Sequence, residues 1–233
     1  MDLPVWQALY ERLKDDNFTI IAVAMDSRDG DPLPWVEQAA PTYPVLVDRD
    51  HLLADLYNMT NVPQAVWIDE QGTIVRPAEN AGAYEAFRAR DPKTGAPSES
   101  ATATLKDAKQ TYVEAIADWV AKGPESEHVF DRDQALAHLG RPSDDTALAH
   151  AHFRLAQHLI RLGRGEEADA HLAEAKRLHP ESWNILRQAI PPNDMGLAVD
   201  ADFIARVQAL GRKHYYPPVD MKGMPSGDPP TAE

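Results

Sequence analysis

Between Leu3 and Val75 the sequence alternates between a helical and a strand period, and that alternation limits what the chain can fold into. Leu3, Trp6, Leu9, Tyr10 and Leu13 recur every third or fourth position, which predicts one buried helical stripe ending at Asp15-Asp16-Asn17. Phe18–Met25 is an almost unbroken β-prone run, the pattern of a strand covered on both faces. A Gly/Pro/Asp-rich stretch from Asp26 to Pro34 follows, then a short helical piece over Trp35–Ala40 and a short strand at Val45-Leu46-Val47. Asp48 and Asp50 are candidate caps for a helix over His51–Asn58 with Leu52, Leu53, Leu56 and Tyr57 facing inward. Val66–Asp69 and Thr73–Val75 flank Glu70-Gln71-Gly72, a hairpin signal. The order is that of an α/β domain closing on an antiparallel edge pair.

Residues 77–103 break this rhythm with Pro77, Gly82, Pro92, Gly95 and Pro97, and read as a long loop. Helical periodicity returns with Leu105, Ala108, Tyr112, Ile116 and Trp119, and Gly123-Pro124 ends it. Beyond Gly123 no strand pattern remains. Asp131-Arg132-Asp133 reads as a helix cap, and Asp144–Leu162 and Glu166–Leu178 as two helices joined by Gly163-Arg164-Gly165. Trp183, Ile185 and Leu186 can start a further helix, and Asp202–Arg212 forms the last. The domain division is therefore 1–122, with 77–103 as its long loop, then 123–216, then a flexible tail at 217–233. Tyr215-Tyr216-Pro217-Pro218 at the junction suits a strap over the protein's own surface.

Two resemblances follow from these residues. Leu155, Ala156, Leu159, Gly163, Ala168, Leu172, Ala175 and Pro180 resemble the small/large pattern of a single tetratricopeptide (TPR) helical hairpin. His152 stands where that pattern has a large apolar residue. One such hairpin cannot bury its own apolar face and has to pack on something else. Upstream, Asn61-Val62-Pro63-Gln64-Ala65-Val66-Trp67-Ile68-Asp69 with Gly72 and Thr73-Ile74-Val75 resembles the second half of a thioredoxin fold, in particular the TlpA/ResA-type thiol–disulfide oxidoreductases and their redoxin relatives. Leu3-Pro4…Leu9-Tyr10 resembles the helix after the redox motif of that family. Ile20–Asp26 resembles its next strand, and Tyr43–Asp48 the strand this branch inserts. The expected fold class is a thioredoxin-like mixed α/β sheet, incomplete at its N-terminus, followed by an all-α TPR-like domain.

The resemblance implies a cis Val62-Pro63 bond and a peptide-facing edge beside it, a form of strand addition. Val62, Pro63 and Trp35 are the candidate substrate- or peptide-binding residues. Tyr84 and Phe87 are placed to act as a lid over the Pro63 edge. The same family carries a Cys-x-x-Cys a few residues before the segment resembled by Leu3-Pro4, and this chain contains no cysteine. Thiol–disulfide exchange needs an attacking thiolate, so the chain as given has no catalytic residue for it. The strand leading to the motif is also absent, leaving three explanations. The fold has adapted, a partner strand fills the slot, or the sequence was cut short at its start; the last is the simplest. The first functional reading is a redox-inactive binding or scaffold protein. The alternative is a truncated oxidoreductase whose Cys-x-x-Cys lies upstream of Met1.

Composition excludes other classes. Thirty-seven acidic residues against 23 basic ones give a net charge of −14, and no Lys/Arg cluster supplies a footprint for nucleic acid or anionic membrane. The longest apolar run, Ile20–Met25, is far short of the roughly 18 residues that read as a membrane span. No signal-peptide pattern opens the sequence, which as written implies a cytoplasmic protein. Of nine histidines, His150, His152, His158, His171 and His179 cluster on the two helices, but no i, i+4 pair supplies a metal-ligand spacing. Asp26–Asp31 superficially suggests a calcium loop, but Arg28 holds its third position and no Glu its twelfth. A turn is the better reading. No metal and no cofactor is expected, and a protein or peptide is the expected partner. The oligomeric state is left open.

Overall fold

In the computed structural model, residues 3–25, 32–90, 96–191, 193 and 198–230 are described. The turn read at Asp26–Asp31 lies outside them. In chain order the elements are α1 (Leu3–Leu13), β1 (Ala22–Ala24), α2 (Leu33–Ala39), β2 (Val45–Val47), α3 (Leu52–Leu56), β3 (Gln64–Ile68) and β4 (Ile74–Asn80). Then come α4 (Glu99–Lys122), α5 (Arg132–His138), α6 (Asp144–Arg161), α7 (Gly165–Leu178), α8 (Trp183–Gln188) and α9 (Ala201–Ala209). They gather into two compact units, one of residues 1–62 with 140–203 and one of residues 63–139 with 204–233. The division expected at Gly123 thus cuts across α4's own unit, because each unit draws on both halves of the chain.

In the first unit α1 buries Leu9 and Leu13, and Thr42 and Tyr43 fasten it. Thr42 N–H donates to Gln7 Oε1 at 2.8 Å, and the Tyr43 ring meets Tyr10 edge-on at 5.7 Å. β1 and β2 pair in parallel, Ala22 opposite Val45 and Ala24 opposite Val47. A parallel pair needs a crossover, and α2 lies within it. β1 is shorter than the Phe18–Met25 run, and it is not sealed on both faces: its residues are half-buried and Ile21 is 60% exposed. α3 follows His51 at its N-cap position, and Asp48 supports its first turn as expected, its two carboxylate oxygens accepting from Leu52 N–H and Leu53 N–H at 3.0 and 2.7 Å, while Asp50, the other expected cap, pairs with Arg161. Leu52 and Leu56, expected to face inward, are exposed. The helix is only five residues long and turns Ala54, not the leucines, into the core.

α6 and α7 form a hairpin whose core is Ala149, Phe153, Ala156, Leu159, Ala168, Leu172 and Ala175, closed by Ile185 of α8. Ala156, Ala168 and Ala175 are fully buried, so small side chains set the close approach of these helices. Leu155 is exposed, since it falls outside the stripe that these residues define. Asn184 joins the hairpin to residues 59–60: its N–H donates to Thr60 O and its Nδ2 to Met59 O.

In the second unit β3 and β4 form the antiparallel hairpin read at Glu70-Gln71-Gly72, with Asp69 accepting from Gln71 and Thr73 N–H across the turn. β4 continues through Pro77 to Asn80, where a loop was expected. Of that loop, residues 86–88 form a short 3-10 helix, and α4 starts at Glu99 on a Ser98 cap. The strands thus form two separate two-stranded sheets among the described residues, where one mixed sheet was expected. Trp67 Nε1 donates to Tyr112 Oη at 2.9 Å, and the Trp67 ring stacks on Trp119, which holds α4 against β3. Residues 217–230 are not a loose tail. Val219, Met221 and Met224 are buried, because Arg76 and Glu85 supply polar anchors for the segment around them.

Candidate functional site

The Val62-Pro63 step leaves an Asn61-anchored turn, with Val62 N–H donating to Asn61 Oδ1 at 2.9 Å. Val62 is 39% exposed. Pro63 O accepts from Ala81 N–H at 3.2 Å, which extends the β3–β4 pairing by one residue toward the start of β3. Trp35 lies on α2 and is 52% exposed, with no hydrogen bond or ring contact from its side chain among the described residues. Pro32 and Pro34 explain this local placement: they set the first turn of α2 and leave the following indole outside the core.

Tyr84 and Phe87 do not cover the Pro63 edge. The Phe87 ring meets Tyr215 edge-on at 5.1 Å, and Tyr84 packs beside Ala86, Ala89 and Ala101. What they frame is the seat of the C-terminal strap. Glu85 is 1% exposed, and its Oε1 accepts from Tyr215 N–H and Tyr216 N–H and bonds His214 Nδ1 at 3.0 Å. Its Oε2 takes Arg88 Nη1 at 2.7 Å, while Arg88 also donates to Lys213 O and Gly211 O. The cleft beside this cluster, between Tyr84, Glu85, His214 and Tyr216, measures about 70 Å3. The Tyr-Tyr-Pro-Pro strap is therefore a structural clasp, as its sequence suggested.

A second buried network centres on Arg76, which is 1% exposed. Its guanidinium meets Glu79 through two nitrogens at 2.7 and 2.8 Å, donates to His128 O and Asp220 O, and lies over the Phe130 ring at 4.1 Å. Tyr112 Oη donates to Glu79 Oε1 at 3.1 Å. Burial first, and the Glu79 charge second, push the Tyr112 hydroxyl well above its ordinary range, so it stays a proton donor. Within this network Arg76 and Glu79 pair with each other. It holds the fold.

The histidines assemble across the helices of the first unit. His150 lies 3.9 Å from Asp55, and its ring meets that of His179 at 5.9 Å. Burial pulls both imidazoles below their ordinary value, only partly opposed at His150 by Asp55 and at His179 by Glu181. His152 Nδ1 lies 2.7 Å from His171 Nδ1, joining α6 to α7. The i, i+4 rule missed these pairs because they form between helices. Folding the Gly163 turn on paper, which sets α6 against α7, would have found the second. Among the described residues no three His, Asp or Glu side chains gather in an arrangement that could hold a metal. No helix among them is long and apolar enough to cross a membrane.

Against this geometry the comparison with known families gives one match. Residues 2–76 match the AhpC/TSA family. That segment spans α1 through the first residues of β4, and the match supports a thioredoxin-like redoxin relationship for it. It relates this part of the chain to thiol–disulfide oxidoreductases. No curated protein and no solved structure matches the chain.

Proposed function

We propose that the chain is a redox-inactive, thioredoxin-like binding module that holds a protein or peptide. The observation that carries this reading is the absence of any cysteine from a chain whose redoxin-matched segment keeps the Val62-Pro63 step. Without a thiolate the scaffold has no route to disulfide exchange, and what is left to it is recognition. Exposed apolar side chains support that: Ile21, Leu33, Trp35, Leu46, Leu56 and Val62 all belong to the matched segment. Apolar side chains that stay in water at this density suit a partner that covers them. The TPR-like reading of α6 and α7, whose small residues are fully buried, adds a second module of the interaction type. In this proposal Val62, Pro63 and Trp35 contact the partner, Val62-Pro63 by lending a strand edge and Trp35 as an aromatic anchor.

The test is two-sided. Trp35→Ala and Val62→Asp should weaken binding of unfolded or extended polypeptide, measured by anisotropy with a labelled apolar peptide, while circular dichroism is unchanged. The parent chain should not accelerate dithiothreitol-driven insulin reduction. Turnover there, or peptide binding indifferent to both substitutions, would overturn the reading.

A second reading is favoured by the family match itself, combined with a β1 that has one hydrogen-bonded neighbour, β2, among the described residues. On it, the chain is an N-terminally truncated TlpA/ResA- or redoxin-type thiol–disulfide oxidoreductase whose Cys-x-x-Cys is encoded ahead of Met1. The coding DNA decides: an in-frame strand and Cys-x-x-Cys upstream establishes it, and an in-frame stop removes it.

A further inference from the structure

The Glu85 clasp leaves one nitrogen of His214 unused. Glu85 precedes the 3-10 helix at Ala86–Arg88, and His214 follows α9. The Glu85 side chain is 2% exposed and that of His214 is 23% exposed, with His214 Nδ1 3.0 Å from Glu85 Oε1. The other groups that meet this carboxylate are donors: Tyr215 and Tyr216 N–H reach Oε1 at 2.8 and 3.2 Å, and Arg88 Nη1 reaches Oε2 at 2.7 Å. A carboxylate so surrounded is ionised and only accepts, so in the neutral ring Nδ1 carries the hydrogen and Nε2 the lone pair. Nε2 has no hydrogen-bond partner among the described residues. The ring lines the cleft of about 70 Å3 together with Tyr84, Tyr216, Met224 and Asp228. An imidazole lone pair beside a cleft, with the opposite nitrogen fixed by a buried carboxylate, is equipped to take a proton from a reacting group.

We infer that His214 is a general base for the hydrolysis of small, neutral acyl esters in this cleft, with Glu85 as its positioning residue. Nε2 takes a proton from a water whose oxygen bonds to the acyl carbon. The bond from that carbon to the leaving oxygen then breaks, and Nε2 returns the proton to the leaving oxygen. One ester and one water give one carboxylic acid and one alcohol, and the ring ends as it began. While the ring is an imidazolium, Glu85 stabilises it through the Nδ1–H. The ionisable groups around the ring are Glu85 with Arg88, Asp228 with Arg212, Tyr84 and the adjacent Lys213. Each acid there is offset by an arginine, so the cleft favours a neutral substrate over an ion. Burial first, and the Glu85 charge second, raise the Tyr84 hydroxyl, so it stays protonated and able to donate to a carbonyl oxygen as charge gathers on it. A cleft this small takes a short acyl group and turns away a long chain. Glu85 and His214 both lie outside the redoxin-matched residues 2–76, so this site is independent of the peptide-binding reading.

The experiment offers p-nitrophenyl acetate to the full chain and to His214→Asn, whose amide keeps a donor for Glu85 and removes Nε2. Circular dichroism checks that the variant folds, and His214→Gln serves if it does not. The expected result is saturable hydrolysis by the parent, about tenfold or more above the variant, which keeps the background of the other histidines. The parent rate should rise with pH as one group loses its proton, and that rise should be missing from the variant. p-Nitrophenyl octanoate should be cleaved with a lower kcat/KM than the acetate. A long-range proton–nitrogen correlation spectrum of the parent should show neutral His214 as the Nδ1–H tautomer, which reports the hold of Glu85 without reference to activity. Equal rates in parent and folded variant overturn the inference, as does a parent rate that stays linear in ester. Octanoate cleaved as efficiently as acetate, or an Nε2–H tautomer, overturns it too.

Discussion

Arg76 and Glu79 stand three residues apart on one β-strand and still face each other through two hydrogen bonds, at 2.7 and 2.8 Å. A regular strand turns residues i and i+3 to opposite faces. The register explains the exception: Ala65 pairs with Glu79 but Trp67 pairs with Arg76, so β4 carries an extra residue between these pairs. The bulge contains Pro77, which has no N–H to give to a ladder and so is tolerated there. One surplus residue swings Arg76 and Glu79 onto the same side, where the ring of Trp67, opposite Arg76 in register, and that of Phe130 flank the guanidinium.

From this pairing the first stability prediction follows. Arg76→Met removes four hydrogen bonds and leaves Glu79 as an uncompensated charge beside a buried tyrosine. The expected cost is about 3–5 kcal/mol. Arg76→Met combined with Glu79→Leu should recover much of that loss, since replacing both members by apolar groups removes the orphan. Urea denaturation followed by tryptophan fluorescence measures both, because Trp67 and Trp119 stack within the same cluster. A double variant as unstable as the single one would mean that the carbonyl contacts to His128 and Asp220 matter more than the charge pair.

Elements governed by local chemistry were legible in the sequence, and elements governed by distant partners were not. The Asp48 cap, the Asp131 capping box, the hairpin turn at Glu70-Gln71-Gly72 and the limits of α6 and α7 all depend on residues a few positions apart. Pro77 misled the reading, because a proline in a strand ends it unless a bulge receives it, and only the register reveals the bulge. Leu52 and Leu56 misled it as well: helical spacing shows that residues share a face, not which face meets the core. Around the candidate site, the Val62-Pro63 step could be read because it is a motif. Glu85 could not, since its partners, His214, Tyr215 and Tyr216, lie about 130 positions away.

Gly82 and Gly163 have nearly equal backbone angles, φ +71° and +72°, in different surroundings. A Cβ on Gly82 would lie 2.9 Å from Tyr112 Cβ and 3.1 Å from Lys109 Cα, whereas one on Gly163 meets nothing within 4 Å. Alanine at either site carries the left-handed penalty of about 1–2 kcal/mol. Only Gly82→Ala adds overpacking against α4, roughly another 1–3 kcal/mol. The two variants should therefore differ in urea midpoint, with Gly82→Ala the less stable. Equal midpoints would show that α4 yields at Tyr112, and that the close approach of residue 82 to this helix is not tightly specified.

His150 and His179 make the first unit sensitive to acid. Burial lowers both imidazoles in the folded chain from the ordinary value of 6.5, to which they return on unfolding. Between the folded and unfolded values the unfolded chain binds more protons, so stability rises with pH across that window. The contribution is complete above 6.5, declines as the pH falls below it, and levels off once the folded-state values are passed. Asp55, facing His150, and Glu181, near His179, favour the protonated rings, while Arg154 beside His150 and His150 beside His179 oppose them. Carboxylates elsewhere also titrate at lower pH, so the diagnostic comparison is between variants. His179→Gln should flatten the rise in urea midpoint between pH 5 and pH 7 relative to the parent, and His150→Gln should do the same. Parallel curves for parent and both variants would show that these two rings keep their ordinary affinity for protons despite their burial.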